Sequence, residues 1–138
     1  MREILFRGKR VDNGEWVEGN FVKDNTATYI TMPLKDSHYL IDVDPSTVGQ
    51  YTGLCDKNGK RIFEGDAIKS HYANAKNADF IETIAFHSGR FCAECKIGER
   101  GCSWALLADG IPHIGADKTV YMESFEVIGT IYGKEDKP

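Results

Sequence analysis

The sequence has little proline and lacks a long apolar run. It contains 4 prolines against 14 glycines, a ratio that favours tight turns between short strands. No stretch approaches the ~18 consecutive apolar residues of a membrane-spanning helix. The first seven residues turn polar at once, with Arg2, Glu3 and Arg7, and so they lack the apolar centre of a signal peptide. We therefore expect a cytoplasmic protein that makes no contact with a membrane.

An excess of basic charge is also missing. The chain has 17 Lys and Arg residues against 21 Asp and Glu residues, which gives a formal net charge of −4. Proteins that bind nucleic acid usually carry a clearly basic surface, because they neutralise phosphates. Nucleic-acid binding by a small β-barrel stays an alternative only if the basic residues of two segments converge on one face. These residues are Lys9, Arg10, Lys57, Lys60, Arg61 and Lys69.

The usual local patterns of catalysis are absent. The chain contains no nucleophile elbow, no phosphate-binding loop and no dinucleotide fingerprint. Asp36, Ser37 and His38 are neighbours in sequence, but a catalytic triad is defined by geometry and not by adjacency. We therefore expect a protein that is not an enzyme and that holds no cofactor.

Strand patterns are abundant, and they indicate a mainly β fold. Two pairs of apolar-rich segments flank short turns that contain glycine, which is typical of β-hairpins. Helix patterns are poor: residues 70–79 are rich in Ala and Asn but have no apolar stripe, and we interpret them as a loop or one helical turn. The predicted hairpins join 4–11 to 16–22 through Asn13-Gly14, and 80–86 to 91–97 through Ser88-Gly89.

The cysteines allow a zinc hypothesis. Cys92, Cys95 and Cys102, with His87 or His113, supply the thiolate and imidazole ligands that zinc takes in a tetrahedral site. However, Cys92 and Cys95 are three residues apart in a predicted strand, and such residues belong to opposite faces. The turn at residues 98–101 brings Cys102 back beside Cys95. Reduced cysteines that act as small core residues are the simpler interpretation.

A Cys95–Cys102 disulfide in an oxidised sample is a further alternative, although a cytoplasmic location argues against it.

The segment Asp56-Lys57-Asn58-Gly59 predicts a tight turn. Aspartate at its start can accept hydrogen bonds from backbone amides, and glycine at its end takes positive φ at low cost. The same letters begin a calcium-loop pattern, but Lys60 and Arg61 stand where oxygen ligands and glycine are required. A cation there repels calcium, and this excludes the calcium interpretation.

Two further patterns concern metal binding and chain direction. Asp42 and Asp44 lie on one face of a predicted strand and could hold a divalent ion, although a solvated edge is the simpler interpretation. The tripeptide Glu64-Gly65-Asp66 predicts a bend, where glycine permits a bulge or a close backbone approach. Such a bend allows a strand to turn the corner of a small barrel.

Three stretches together resemble the YopX family of small proteins typical of bacterial phages and prophages. They are the N-terminal segment 2–8, the segment 50–66, which is the strongest match, and the C-terminal segment 125–132. The resemblance implies a β-rich fold that contains an SH3-like barrel, and it implies no established activity. Thr130 stands where the family usually has Asn, and the cysteines at 92, 95 and 102 do not belong to the shared pattern.

We therefore predict one YopX-like domain over residues 1–138. It would comprise an N-terminal β subdomain with the first hairpin (1–45), an SH3-like small β-barrel (46–133) and a charged tail (134–138). The predicted structural motif comprises Thr52, Gly53, Asp56, Asn58, Gly59, Glu64, Gly65, Asp66 and Gly129. We expect a phage-type accessory module in a bacterial host cell, which binds copies of itself or a phage or host protein through its strand edges.

Overall fold

The structure is a computed structural model, and its strands account for most of the chain. It describes residues 3–33, 38–72, 78–87, 89–97, 100–105, 112–114 and 119–133. The first six strands are β1 Phe6–Lys9, β2 Trp16–Lys23, β3 Thr28–Pro33, β4 His38–Asp42, β5 Gly49–Cys55 and β6 Arg61–Phe63. The last six are β7 Asp66–Tyr72, β8 Ala78–His87, β9 Arg90–Ile97, β10 Arg100–Ala105, β11 Pro112–Ile114 and β12 Thr119–Thr130. The predicted mainly β class is confirmed.

The strands form two open sheets. One has the order β4-β3-β2-β1-β5-β6, and the other has the order β10-β9-β8-β7-β12-β11. The predicted closed SH3-like barrel over residues 46–133 is wrong for the part of the chain that the structure describes. Strands of that range are divided between the two sheets, and β10 and β11 are the opposite ends of the second sheet. The sheet therefore keeps two edges where a barrel would have none.

The chain divides into two compact units, Met1–Gly53 and Leu54–Pro138, and the boundary falls within β5. The subdomains predicted from the sequence, 1–45 and 46–133, have their boundary earlier in the chain. In the first unit, the buried core comprises Ile30, Ile41 and Val43. Phe6, Val17 and Val48 pack against these three side chains. Among the described residues, no helix is long and apolar enough to cross a membrane.

A bridge between Arg10 and Val43 brings the ends of β1 and β4 together in the first unit. The amide of Asp44 donates to the carbonyl of Lys9 over 2.8 Å, and the amide of Val11 donates to the carbonyl of Asp42 over 3.1 Å. These bonds connect the ends of β1 and β4, which are not neighbours in the order of the sheet. After β4, Pro45–Thr47 form one turn of 3-10 helix, in which the side chain of Asp44 accepts from the amide of Ser46.

Residues 70–79 differ from the sequence prediction. Strand β7 continues to Tyr72 and β8 begins at Ala78, so the ends of this segment are extended and not loop or helix. The reason is pairing that the local sequence does not reveal: β7 lies between β8 and β12, and Ser70 is the register partner of Phe80 on one side and of Phe125 on the other. Residues 73–77 lie outside the described residues.

Strand β2 changes its partner strand at Gly19. Its first half pairs with β1, as Phe6 opposite Gly19 shows, and its second half pairs with β3 from Asn20 onward. A Cβ at position 19 would overlap the carbonyl oxygen of Thr31, which is backbone and cannot move aside. Only glycine allows β2 and β3 to approach this closely.

We predict that Gly19→Ala lowers the free energy of unfolding by about 1–3 kcal/mol or more, the range for forcing extra volume into a packed site. Asn20→Ala changes the neighbouring exposed residue and serves as the control. Urea denaturation of both variants measures the difference. If Gly19→Ala is as stable as Asn20→Ala, the close approach of β2 to β3 does not exist.

The turn between β2 and β3 depends on Asp24. Its Oδ1 accepts from the hydroxyl of Thr26 over 2.7 Å, and from the amides of Thr26 and Ala27 over 2.7 and 2.9 Å. The hydroxyl of Thr26, followed by the two amides, lowers the pKa of Asp24. A lowered pKa means that the group stabilises the fold above its unfolded-state pKa, and that this contribution disappears as the pH falls through the folded-state pKa.

We expect Thr26→Ala to raise the pKa of Asp24 towards its ordinary value, because the largest cause of the shift is removed. A pH titration of the side-chain carboxyl carbon by NMR measures this pKa in both proteins. Thr28→Ala, which leaves the Asp24 contacts intact, is the control. An identical midpoint in the native protein and in Thr26→Ala would contradict the hydroxyl's role.

Candidate functional site

The Asp56 carboxylate is the centre of the strongest family-like segment. Asp56 is 6% exposed. Its Oδ1 accepts from the amides of Asn58 and Lys60 over 2.8 and 2.9 Å, as expected for an aspartate that begins a turn. Its Oδ2 accepts from the amide of Val127 over 2.9 Å. One side chain therefore joins the turn to a strand 71 residues later.

Two further contacts connect the same turn to β12. The amide of Lys57 donates to the carbonyl of Phe125 over 3.2 Å. The ammonium of Lys57 lies 3.2 Å from the carboxylate of Glu126, and both side chains are partly exposed. An exposed ion pair of this kind contributes little stability, about 0–1 kcal/mol. The buried carboxylate of Asp56 is therefore the main link between this turn and the last strand.

The predicted bend at Glu64-Gly65-Asp66 is also tied to distant strands. Gly65 has a φ of +92°, and its amide donates to the carbonyl of Ile84 over 2.8 Å. Its carbonyl accepts from the amide of Ile131 over 2.9 Å. A Cβ on Gly65 would lie 2.8 Å from the ring of Tyr132. Both the positive φ and the close aromatic ring therefore require glycine here.

Asp66 closes the same bend from inside. It is fully buried, and its Oδ2 accepts from the amide of Phe63 over 2.8 Å. The other motif residues are placed as follows: Thr52 and Gly53 lie in β5, Asn58 and Gly59 in the turn, Glu64 in the bend, and Gly129 in β12 beside a register shift. The hydrogen bonds of Asp56 and Asp66 described above are all accepted from backbone amides of the chain, which gives these two residues of the motif a structural role.

The zinc candidates are only partly described. Cys92 is fully buried, and its thiol donates to the carbonyl of Arg90 over 3.7 Å. The Nε2 of His87 lies 2.5 Å from Oε1 of Glu94. Within the described side chains, no cluster of three or more metal-binding groups occurs. The side chains of Cys95, Cys102 and His113 lie outside the described set, and zinc binding therefore stays the untested alternative to the prediction of no metal.

The backbone does settle one expectation about the cysteines. Cys95 and Cys102 are directly paired in the ladder of β9 and β10. Strand β10 begins at Arg100, earlier than the predicted turn 98–101 allows, but the predicted return of Cys102 beside Cys95 is confirmed. Cys92 is paired with Ala105, three positions away, so its position falls on the other face of β9.

The candidate cations for nucleic-acid binding belong to both units. Arg10 forms two hydrogen bonds with Asp12, at 2.9 and 2.7 Å, and these bonds raise its pKa and lower that of Asp12. Lys9 lies over the ring of Trp16 at 5.8 Å. Two of the six cations, Arg10 and Lys57, therefore already face carboxylates. Nucleic-acid binding stays a prediction that these contacts do not favour.

The fold and the motif define a class of protein. It is a small, mainly β protein in which a turn and a bend form hydrogen bonds with strands far away in the sequence. A family model described as YopX protein matches residues 5–135. This match covers nearly the whole chain, and the chain belongs to the YopX family. No curated protein and no solved structure matches the chain.

We predict that Asp56→Ala lowers the free energy of unfolding by about 3 kcal/mol or more, because hydrogen bonds to a charged group contribute about 1.5–3 kcal/mol each and buried amides lose their acceptor. Asp24→Ala is the matched control. It also removes a carboxylate that accepts three hydrogen bonds, but Asp24 is exposed and its partners are local. Urea denaturation measures both. Equal losses would contradict the role of Asp56 as a long-range tie.

Proposed function

We propose that this YopX-family protein is a binding module of phage or prophage origin, and not an enzyme. In this proposal it binds an extended polypeptide strand along the edge of β4. The occupant to which we commit is the same edge of a second copy of the chain. The observation that carries the proposal is an open sheet edge with exposed apolar side chains on both faces beside it.

The pairing pattern identifies the open backbone groups of β4. The amide of Val43 donates to the carbonyl of Thr28 in β3. Polar groups on a strand alternate in direction, so Tyr39 and Ile41 also bond inward to β3 and Leu40 directs its amide and carbonyl outward. Within the described residues, β4 is the last strand of its sheet. The amide of Val11 occupies this edge at Asp42, which leaves the part around Leu40 open.

The side chains near this edge are apolar and exposed on both faces. Phe21, Met32 and Tyr39 share the face of the core and are 39%, 41% and 55% exposed. Val22 and Leu40 are on the opposite face and are 39% and 53% exposed. A strand that is added to an edge places successive side chains on alternate faces, and it therefore covers both groups at once.

A second copy offers matching chemistry. Its own β4 presents an outward backbone at Leu40 and apolar side chains on both faces. Two such edges can pair antiparallel about a two-fold axis, which is the commonest symmetry of small oligomers. Stable, specific interfaces bury about 800 Å² from each partner. Because the open edge of β4 is short, we expect its interface to be smaller and the dimer to be weak. The fraction of dimer should therefore depend on the protein concentration.

We expect the weight-average mass in sedimentation experiments to rise towards that of a dimer between micromolar and near-millimolar concentration. Leu40→Lys should weaken association and raise the dissociation constant by a factor of at least ten, because an edge lysine opposes strand addition. Ile81→Lys is the control, since Ile81 is 57% exposed and lies in the other sheet. A constant monomer mass for the native chain would contradict the proposal.

A dimer that Leu40→Lys leaves intact would keep self-association but exclude the β4 edge as its site. If Leu40→Lys and Ile81→Lys weaken the dimer equally, the β4 edge is also excluded as its site. A general loss of surface hydrophobicity would then be sufficient to explain the weaker dimer.

A further inference from the structure

The β9–β10 hairpin places two of the chain's four cysteines at directly paired positions. Cys95 lies opposite Cys102, within a ladder that runs without a register shift from Arg100–Ile97 to Ala105–Cys92. Directly paired residues of antiparallel strands share a face of the sheet. The other two cysteines are elsewhere: Cys55 is in β5 and Cys92 is on the opposite face of β9.

The hydrogen-bond pattern decides which kind of pair this is. The carbonyl of Ile84 accepts from the amide of Gly65, and so the polar groups of Ile84 point away from β9. Alternation along β8 then directs the polar groups of Ala85 towards Cys92. Alternation along β9 directs the polar groups of Cys95 towards β10. Cys95 and Cys102 are therefore a hydrogen-bonded pair.

This pair has the spacing of a disulfide, but not an ideal one. Hydrogen-bonded partners have Cα atoms about 5.5 Å apart, which is inside the usual disulfide range of about 4.4–6.8 Å. In antiparallel pairs generally, the Cβ separation is about 4.5–5.5 Å and is larger in hydrogen-bonded pairs, whereas a disulfide needs about 3.5–4.5 Å. Closing the bond therefore requires a local adjustment of the strands. Such an adjustment stores strain and makes the bond easier to reduce.

The place of the hairpin in the sheet permits that adjustment. Strand β10 is the terminal strand of the second sheet, so it is paired on one side only among the described residues. A terminal strand can twist or shift without breaking a second ladder. The cost of closing the bond is therefore confined to one hairpin, and the rest of the sheet keeps its pairing.

We propose that Cys95 and Cys102 form a redox-reversible dithiol that exchanges with low-molecular-weight disulfides. The thiolate of one cysteine attacks a sulfur of the small disulfide, a mixed disulfide forms and one small thiol leaves. The second cysteine attacks the mixed disulfide, the Cys95–Cys102 bond forms and the second small thiol leaves. Two electrons pass from the protein to the small disulfide, and the two protons lost by the cysteines end on the two small thiols.

This assignment suits a reducing compartment better than a structural disulfide does. Disulfides in such compartments are usually transient and act in catalysis or redox sensing. A strained bond at a terminal hairpin is of this labile kind, since reduced small thiols open it again. It also accounts for two cysteines at paired positions without a metal ion.

The test uses the purified full chain, fully reduced and then incubated with oxidised glutathione. After acid quenching, denaturation and alkylation, intact mass spectrometry counts the free thiols. We expect the count to fall from four to two with no glutathione retained, and peptide mapping to join Cys95 to Cys102. Excess reduced glutathione should restore all four thiols. This experiment on the native chain tests the proposal by itself, so the test remains valid even if a variant fails to fold.

The variants separate this pair from the other cysteines. Cys95→Ser and Cys102→Ser should stop at the mixed disulfide and retain one glutathione, because the second attacking thiol is gone. Cys92→Ser and Cys55→Ser should still form the Cys95–Cys102 bond. The proposal is overturned if no disulfide forms, if the mapped bond contains Cys92 or Cys55, or if the bond resists excess reduced glutathione.

Discussion

One buried carboxylate joins the middle of this chain to its end. Asp56 gathers backbone amides of its own turn and of β12, which are far apart in sequence. Ordering so long an intervening segment costs chain entropy, and the cost must be offset by contacts made at closure. A buried amide without an acceptor is itself costly. The turn and the last strand therefore depend on each other, and neither has its full set of hydrogen bonds until both are in place.

Gly65 provides a second tie of the same kind, because its amide bonds to β8 and its carbonyl to the chain just after β12. The shared sequence segments of the family thus account for how the second unit is assembled. A family defined by such ties can keep its fold while its binding surfaces change, and function must be argued from other residues. For this chain, the open edge of β4 and the paired cysteines of β9 and β10 are two such places.

The sequence predicted what local chemistry decides. Gly14 and Gly89 take the positive φ expected of hairpin turns, and Asp56 caps its own turn as its position indicated. Prediction from the sequence was wrong where pairing between distant segments determines the structure. Strands β7 and β8 extend into the segment that was interpreted as a loop or helical turn. The strands of the expected barrel are divided between two open sheets. The bond from Asp56 to Val127 could not be found from either local sequence. The pairing of Cys95 with Cys102 was accessible, because strand spacing and one turn determine it.

Within the described residues, most of the β4 edge lacks the usual protection of an exposed strand. Proteins usually protect an exposed edge with lysine, proline, a bulge or a covering segment. The sequence of β4, His-Tyr-Leu-Ile-Asp, has no lysine and no proline, and the described bond from Val11 covers only its end at Asp42. Apolar side chains on both faces increase the risk of unspecific association. An edge with these properties is a liability for a protein that acts alone, and it is what a module requires if it works by accepting another strand.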